Sequence, residues 1–236
     1  MELLKAAMDR IGIEATPQRM DAFERYRALV LDWNDKVNLT AIKAPDEFEV
    51  KHFIDSLSSS LFKGFQSATS VIDVGTGAGF PGLPLAICFP EKKFVLLDSL
   101  NKRVKILNLI IDQLQIDNAR AIHGRAEDLA LQQIHREKYD VCLSRAVATL
   151  AVLAEYCLPF VRPGGYFGAY KTLSSSSEIV ESSKAMNILG GKYEETTISP
   201  FDDMQMNHRV FWIKKVAKTP GKYPRKAGIP AKEPLL

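Results

Sequence analysis

The residues that most constrain this chain are Val71-Ile72-Asp73-Val74-Gly75-Thr76-Gly77-Ala78-Gly79-Phe80-Pro81-Gly82. Ser70 to Val74 is the β-branched run of a parallel strand covered on both faces. Three glycines at alternate positions follow, and without a Cβ they let the backbone turn sharply and approach a ligand. Pro81 has no N–H to donate and suits the first turn of a following helix. Strand, glycine turn and helix in this order place a ligand at the carboxyl end of a sheet. A tight turn packed without a ligand is the poorer account of three alternating glycines.

Two cofactor classes compete for this turn. Gly77 to Gly82 matches G-x-G-x-x-G literally, a dinucleotide pattern that is weak on its own. Asp73 decides against it, because a carboxylate ahead of the glycines repels a pyrophosphate and attracts a cation. S-adenosylmethionine carries a sulfonium and an α-ammonium and no phosphate. Asp73, Gly75, Gly77 and Gly79 are therefore read as its binding residues. No Gly-Lys-Ser/Thr follows, which excludes a P-loop.

The 236 residues suit one sizeable domain with a small N-terminal extension. The expected organisation is a helical extension at 1–66, a Rossmann-like core at 67–216 and a basic tail at 217–236. No apolar run is long enough to span a membrane. Met1-Glu2-Leu3-Leu4-Lys5 lacks a signal-peptide pattern. Cys88, Cys142 and Cys157 form no Cys-x-x-Cys pair, which points to a reducing cytoplasm and to no metal site. Net charge is only +3, yet residues 214–236 hold seven bases against one acid, Glu233. A basic tail on a mildly acidic body suggests a polyanionic partner, though a solvated tail is the bland equivalent.

Residues 1–66 read as helical. Thr16-Pro17 is an N-cap followed by proline at the first helical position. Met20, Phe23, Arg27, Val30, Trp33 and Val37 then recur at steps of three or four, an apolar face with Arg27 as its exception. Pro45-Asp46-Glu47 starts another helix, on which His52 and Asp55 can meet. Such a pair is usually a local hydrogen bond. Beyond the glycine turn the spacing predicts a helix over 83–89 and a strand over 94–98. Further helices are predicted over 102–114, 150–158 and 177–189, and further strands over 119–123, 139–145 and 166–171. Arg162-Pro163-Gly164-Gly165 reads as a turn. Strands over 194–198 and 209–215 close the sheet as an antiparallel pair.

Asp98 ends the second strand, 19 residues past Gly79, where an acid accepts hydrogen bonds from ribose hydroxyls. A helix cap for Asn101 onward is its alternative role. The loop Gly124-Arg125-Ala126-Glu127-Asp128 faces the adenine, whose edge a backbone N–H at Ala126 or Glu127 can read. Ser144-Arg145 ends the fourth strand beside the first, which turns Arg145 toward the pocket.

These segments together identify a family. The chain closely resembles the RsmG (GidB) family of ribosomal RNA small-subunit methyltransferases over nearly its whole length. The marks are Asn38-Leu39-Thr40, His52-Phe53-Ile54-Asp55-Ser56-Leu57, the glycine motif at 73–82 and Leu97-Asp98-Ser99 with Lys102-Arg103. Gly124-Arg125-Ala126-Glu127, Ser144-Arg145-Ala146-Val147-Ala148 and the tail Tyr223-Pro224-Arg225-Lys226-Ala227-Gly228-Ile229-Pro230 complete them. The resemblance implies a class I, Rossmann-like fold: a seven-stranded, mostly parallel sheet in the order 3-2-1-4-5-7-6, with helices on both faces. It implies S-adenosylmethionine-dependent methylation of N7 of one guanosine in 16S rRNA, with S-adenosylhomocysteine as product. By the same analogy Gly75, Phe80, Ala126, Glu127 and Arg145 contact the cofactor. A cytoplasmic monomer is expected.

The residue chemistry agrees with that target. Guanine N7 carries a free lone pair, so no proton leaves before methyl transfer. The chain has no Asn/Asp-Pro-Pro-Tyr/Phe motif of exocyclic-amine methylases and no Pro-Cys that attacks a pyrimidine. What remains is an in-line displacement that depends on positioning and charge, without a general base. Arg145 is the candidate charged contact, to guanine O6 or to a phosphate, since N7 must stay free. In the tail, Lys222, Arg225 and Lys226 are candidates to neutralise phosphates and Tyr223 to stack on a base. The alternative is a tail folded back over the sheet. Two other functions stay open at this point: an NAD-dependent oxidoreductase, and an RNA-binding assembly factor with a vestigial pocket.

Overall fold

The computed structural model describes residues 1–236 except 35, 146, 147, 199, 202, 203 and 205–207. Ala146 and Val147 of the Ser-Arg-Ala-Val-Ala run thus lie outside the described residues. Seven strands form one sheet: β1 Ser70–Val74, β2 Lys93–Asp98, β3 Ala119–His123, β4 Tyr139–Ser144, β5 Val161–Thr172, β6 Gly191–Thr197 and β7 His208–Lys215. Their order is β3-β2-β1-β4-β5-β7-β6, as the resemblance implies. The β2, β1 and β4 pairings are parallel, and β7 runs antiparallel between β5 and β6. The order reverses direction beside β1, so the carboxyl ends of β1 and β4 flank a crevice open to a ligand. The central strands are apolar on both faces and divide the interior into two cores.

One core lies between the sheet and the N-terminal helices, and it is continuous from Leu4 and Phe23 to Leu96 and Trp212. Thr16 caps the helix Pro17–Asn34, its Oγ1 accepting from the Arg19 N–H. The polar exception on that helix has a partner: Arg27 pairs at 3.5 Å with Glu49, which is almost wholly buried. The segment starting at Pro45 is irregular, passing from α-helix to a π-helical stretch at Glu49–Ile54, a short α turn and a 3-10 turn. Within it the Asp55 N–H bonds to Val50 O, bypassing the Lys51 carbonyl that a regular α-helix would use.

Two local expectations are corrected. The helix predicted over 177–189 is two pieces, Glu178–Glu181 and Ser183–Ile188. Ser182 leaves helical geometry between them, standing at the C-cap of the first and the N-cap of the second without a side-chain capping bond. The turn at 162–165 lies inside β5, where pairing jumps from Tyr139 with Val161 to Val141 with Tyr166. The four residues loop out as a bulge instead of preceding the strand. Among the described residues no helix is long and apolar enough to cross a membrane.

Candidate active site

The loop after β1 is held from below and from the side. The Gly75 and Thr76 N–H groups both donate to Leu97 O of β2, at 2.9 and 3.0 Å. Asp73 is fully buried, and its Oδ2 accepts from Thr76 Oγ1 at 2.6 Å and from the Gly82 N–H at 2.9 Å. Tyr26, from the helix Pro17–Asn34, donates its hydroxyl to Ala78 O at 2.6 Å. Gly79 has φ +106°, and a Cβ there would stand 2.5 Å from that hydroxyl, so only glycine fits. Pro81 takes the capping position and the helix begins at Gly82.

Asp73 therefore organises the loop and does not line the crevice. Burial raises its pKa to about 6, against the opposing bonds from Thr76 and Gly82. Its Oδ1 is buried without a partner among the described residues. A buried acceptor left open beneath a ligand loop suits a cationic or hydrogen-bond-donating group.

The crevice itself has a volume of about 340 Å³, within the range typical of small-molecule sites. Gly75, Asp98, Ala126 and Glu127 line it, four of the residues expected from sequence. Asp98 Oδ2 accepts from the Gly77 N–H at 3.0 Å and Oδ1 from the Leu100 N–H at 2.8 Å. An ionised carboxylate offers about four lone-pair sites, so roughly two stay open to ribose hydroxyls. Asp98 does not cap the helix Asn101–Gln113, since it holds only the Leu100 N–H ahead of that helix, and its open lone pairs suit the ligand role. Gly77 acts through Asp98, whereas Gly79 and Phe80 do not line this cavity. Sequence reasoning missed three further lining residues, Val152, Leu153 and Tyr156 of the helix Leu150–Cys157. Those residues carry the usual signal of a buried helix and nothing that separates a core from a pocket.

Phe80 and Arg145 sit in a second cluster. Phe80 is stacked on His52 with centroids 4.3 Å apart and planes at 4°, and Tyr26, Phe48 and Phe53 surround the pair. The Arg145 guanidinium lies 5.3 Å from the Phe80 centroid. Its Nη1 donates to Lys51 O and to Asp55 Oδ2, both at 2.8 Å, and its Nη2 to His52 Nδ1 at 3.4 Å. His52 and Asp55 thus meet through Arg145 and not directly. The carbonyl freed by the π-helical stretch is the one Arg145 uses.

Burial, then the Arg145 charge, lowers the His52 pKa to about 3, so the ring is neutral at pH 7. Arginine only donates, so His52 Nδ1 must accept. Nε2 then carries the hydrogen and donates to Thr40 Oγ1 at 2.7 Å. Neither ring nitrogen is left to act as a base. Asp55 is also fully buried. Burial alone would raise its carboxyl, but the His208 hydrogen bond and the Arg145 charge hold it below its ordinary value.

The tail follows the alternative reading, folded back onto the body, and the stacking and phosphate roles expected of two of its residues are corrected. Tyr223, expected to stack on a base, is 8% exposed and belongs to the apolar core that also holds Leu150, Leu153 and Cys157. Arg225, expected on a phosphate, grips Glu155: N and Nε donate to Oε1 at 2.8 and 2.9 Å, and Nη2 donates to Oε2 at 2.6 Å. The physical reason is Glu155, 1% exposed on an apolar helix, whose desolvated carboxylate requires a cation. Farther on, the Gly228 N–H donates to Glu127 Oε1 at 2.9 Å and Ala231 lines the crevice. Lys222 and Lys226 remain exposed.

Comparison with known proteins accords with this geometry. The family described as GidB, rRNA small subunit methyltransferase G, matches residues 19–204. Proteins named ribosomal RNA small subunit methyltransferase G from Clostridium kluyveri and Clostridium tetani are 47% and 44% identical. Each alignment covers 99% of this chain and 98% of the relative. Among solved structures, an O-methyltransferase from Bacillus cereus in complex with SAH superposes with a TM-score of 0.56 at 16% identity. That match covers 90% of this chain and 97% of the other, and shows a shared Rossmann-like fold. The chain belongs to the rRNA small subunit methyltransferase G family.

Proposed function

We propose that this protein transfers a methyl group from S-adenosylmethionine to N7 of one guanosine in the 16S rRNA of the small ribosomal subunit. The observation that carries the reading is the crevice where Gly75, Asp98, Ala126 and Glu127 converge at the carboxyl end of the sheet. The polar groups fit the cofactor: open lone pairs on Asp98 for ribose hydroxyls, backbone N–H groups at Ala126 and Glu127 for adenine, and the unpaired Asp73 Oδ1 beneath the glycine loop as a reserve of negative charge. When bound, the cofactor supplies an electrophilic methyl carbon.

The protein's own task is positioning. A neutral, fully engaged His52 matches a nucleophile that has no proton to lose. Arg145 orients the guanine through O6 or a neighbouring phosphate. Exposed bases around the crevice, Arg125 on its wall and Lys102 at the helix start past Asp98, carry RNA phosphates, with Lys222 and Lys226 extending the contact. The protein acts as a monomer in the cytoplasm, where its ribosomal substrate lies. Family membership leaves the oxidoreductase and non-catalytic readings without support.

Calorimetry with S-adenosylmethionine and NAD in turn, followed by transfer of labelled methyl to small-subunit RNA, tests the proposal. Binding of the first ligand alone and label in 16S rRNA are expected. Binding of NAD, or a bound cofactor with no label in RNA, would overturn it.

A further inference from the structure

The Arg145–Asp55 pair answers an electrostatic difficulty in N7 methylation, and the inference rests on the reading of Arg145 given above. As the N7 lone pair forms the new C–N bond, the C–S electron pair stays on sulfur and the positive charge passes to the guanine ring. A bare guanidinium beside that ring opposes the charge as it develops. The same charge already stands on sulfur, so what counts is the difference between its two distances: at about 6 Å from the ring and about 9 Å from sulfur, at the effective dielectric of a partly buried site, the guanidinium would slow such a step on the order of fivefold.

The structure supplies a counter-charge at the guanidinium. Asp55 Oδ2 lies 2.8 Å from Arg145 Nη1, and the side chains are 2% and 12% exposed, so solvent screens neither partner well. Lys51 O and His52 Nδ1 complete a three-sided cradle. Nη1 spends both hydrogens and Nη2 one. Nε and the second Nη2 hydrogen have no partner among the described residues. On its other flank Asp55 Oδ2 meets His208 Nδ1 at 2.9 Å, which fixes the carboxylate.

We infer that Asp55 is a positioning residue that fixes Arg145 and cancels its charge, so that the free N–H groups orient the target nucleotide without opposing the cation formed on it. The carboxylate acts through Arg145 and touches no reacting atom. The role differs from structural support in one respect. Removing the Asp55 charge while keeping its shape makes the site more positive, so RNA binding holds or tightens while the chemical step slows.

The test uses the full chain with small-subunit RNA and compares Asp55→Asn, Arg145→Ala and both together. Asp55→Asn is expected to lower kcat about three- to tenfold, with KM for RNA unchanged or lower. Cofactor affinity by calorimetry stays within about twofold of wild type, well below the tenfold that 1.4 kcal/mol represents. In the Arg145→Ala background the same substitution changes kcat by less than about twofold, the signature of an effect transmitted through Arg145. A neutral pair, Asp55→Asn with Arg145→Gln, recovers part of the loss and guards against a variant that merely folds poorly. An unchanged kcat in Asp55→Asn, a rise in KM alone, or an undiminished effect without Arg145 overturns the inference. If Arg145→Ala itself leaves kcat and RNA binding intact, the reading of Arg145 is what fails.

Discussion

Replacing Asp98 with alanine separates the two backbone hydrogen bonds this carboxylate makes from the ribose contact proposed for it. Its Oδ2 and Oδ1 hold the Gly77 and Leu100 N–H groups, and the side chain, 5% exposed, also faces the crevice. Hydrogen bonds to a charged acceptor are worth roughly 1.5–3 kcal/mol. Loss of the ribose contact therefore lowers cofactor affinity about ten- to a hundredfold, at 1.4 kcal/mol per decade. Loss of the two backbone bonds acts without cofactor. Water reaches the part-buried Gly77 N–H, so the cost is about 1–3 kcal/mol of stability, or about 2–10 °C in Tm for a chain of this size. Asp98→Asn is harsher on the loop than its shape suggests. Its carbonyl can serve Leu100, but its amide then points a donor at the Gly77 donor. Calorimetry with S-adenosylhomocysteine and a melt of the free protein read the two effects separately. A folded Asp98→Ala variant that binds cofactor within about twofold of wild type would refute the ribose role, whatever its Tm.

Other substitutions follow from the same contacts. Arg225→Ala strands the buried Glu155 carboxylate and should destabilise the fold by about 3–5 kcal/mol while loosening cofactor binding; a Tm within a degree of wild type contradicts this. The salt slope of RNA binding should barely move in that variant, whereas Lys222→Ala with Lys226→Ala should flatten it by about one to two units in a filter-binding series. Tyr26→Phe removes the bond to Ala78 O and should weaken cofactor binding by about 1 kcal/mol, read by calorimetry, with no loss of aromatic packing. Burial lowers the His52 pKa to about 3 in the folded chain, against the ordinary 6.5 when unfolded, so the unfolded chain takes up the proton first. Its contribution to stability is therefore full above pH 6.5 and is lost as pH falls toward 3. Urea unfolding at pH 5 and pH 7 should show a smaller difference in His52→Asn than in wild type.

How far the sequence reached depended on whether a residue's partner was local. The glycine turn and Asp98 were legible because strand, turn and acid stand at fixed spacings. Tyr26 was overlooked although it lies three residues past Phe23 and four before Val30 on the apolar face. Nothing in that periodicity says that its hydroxyl meets a carbonyl 52 positions away. The tail misled for the same reason. Seven bases in a short segment read as an anion-binding arm, but Glu155, 70 residues upstream, already claims Arg225. A sharper signal was present: a lone carboxylate in Leu150-Ala151-Val152-Leu153-Ala154-Glu155-Tyr156-Cys157 cannot be buried without a cation. Asp73 was assigned to the ligand on charge alone, whereas burial turned it into the clamp of the loop. The pairing of His52 and Asp55 through Arg145 depends on the π-helical stretch, which heptad and i, i+3 reasoning does not anticipate.

The measurement that most directly tests the account is nucleoside mass spectrometry of 16S rRNA digested after incubation of small subunits with this protein and S-adenosylmethionine. The account predicts N7-methylguanosine approaching one residue per subunit, absent when the cofactor is omitted. Methylation of an exocyclic amine, a ribose or a pyrimidine carbon, or no new methyl group, would contradict it.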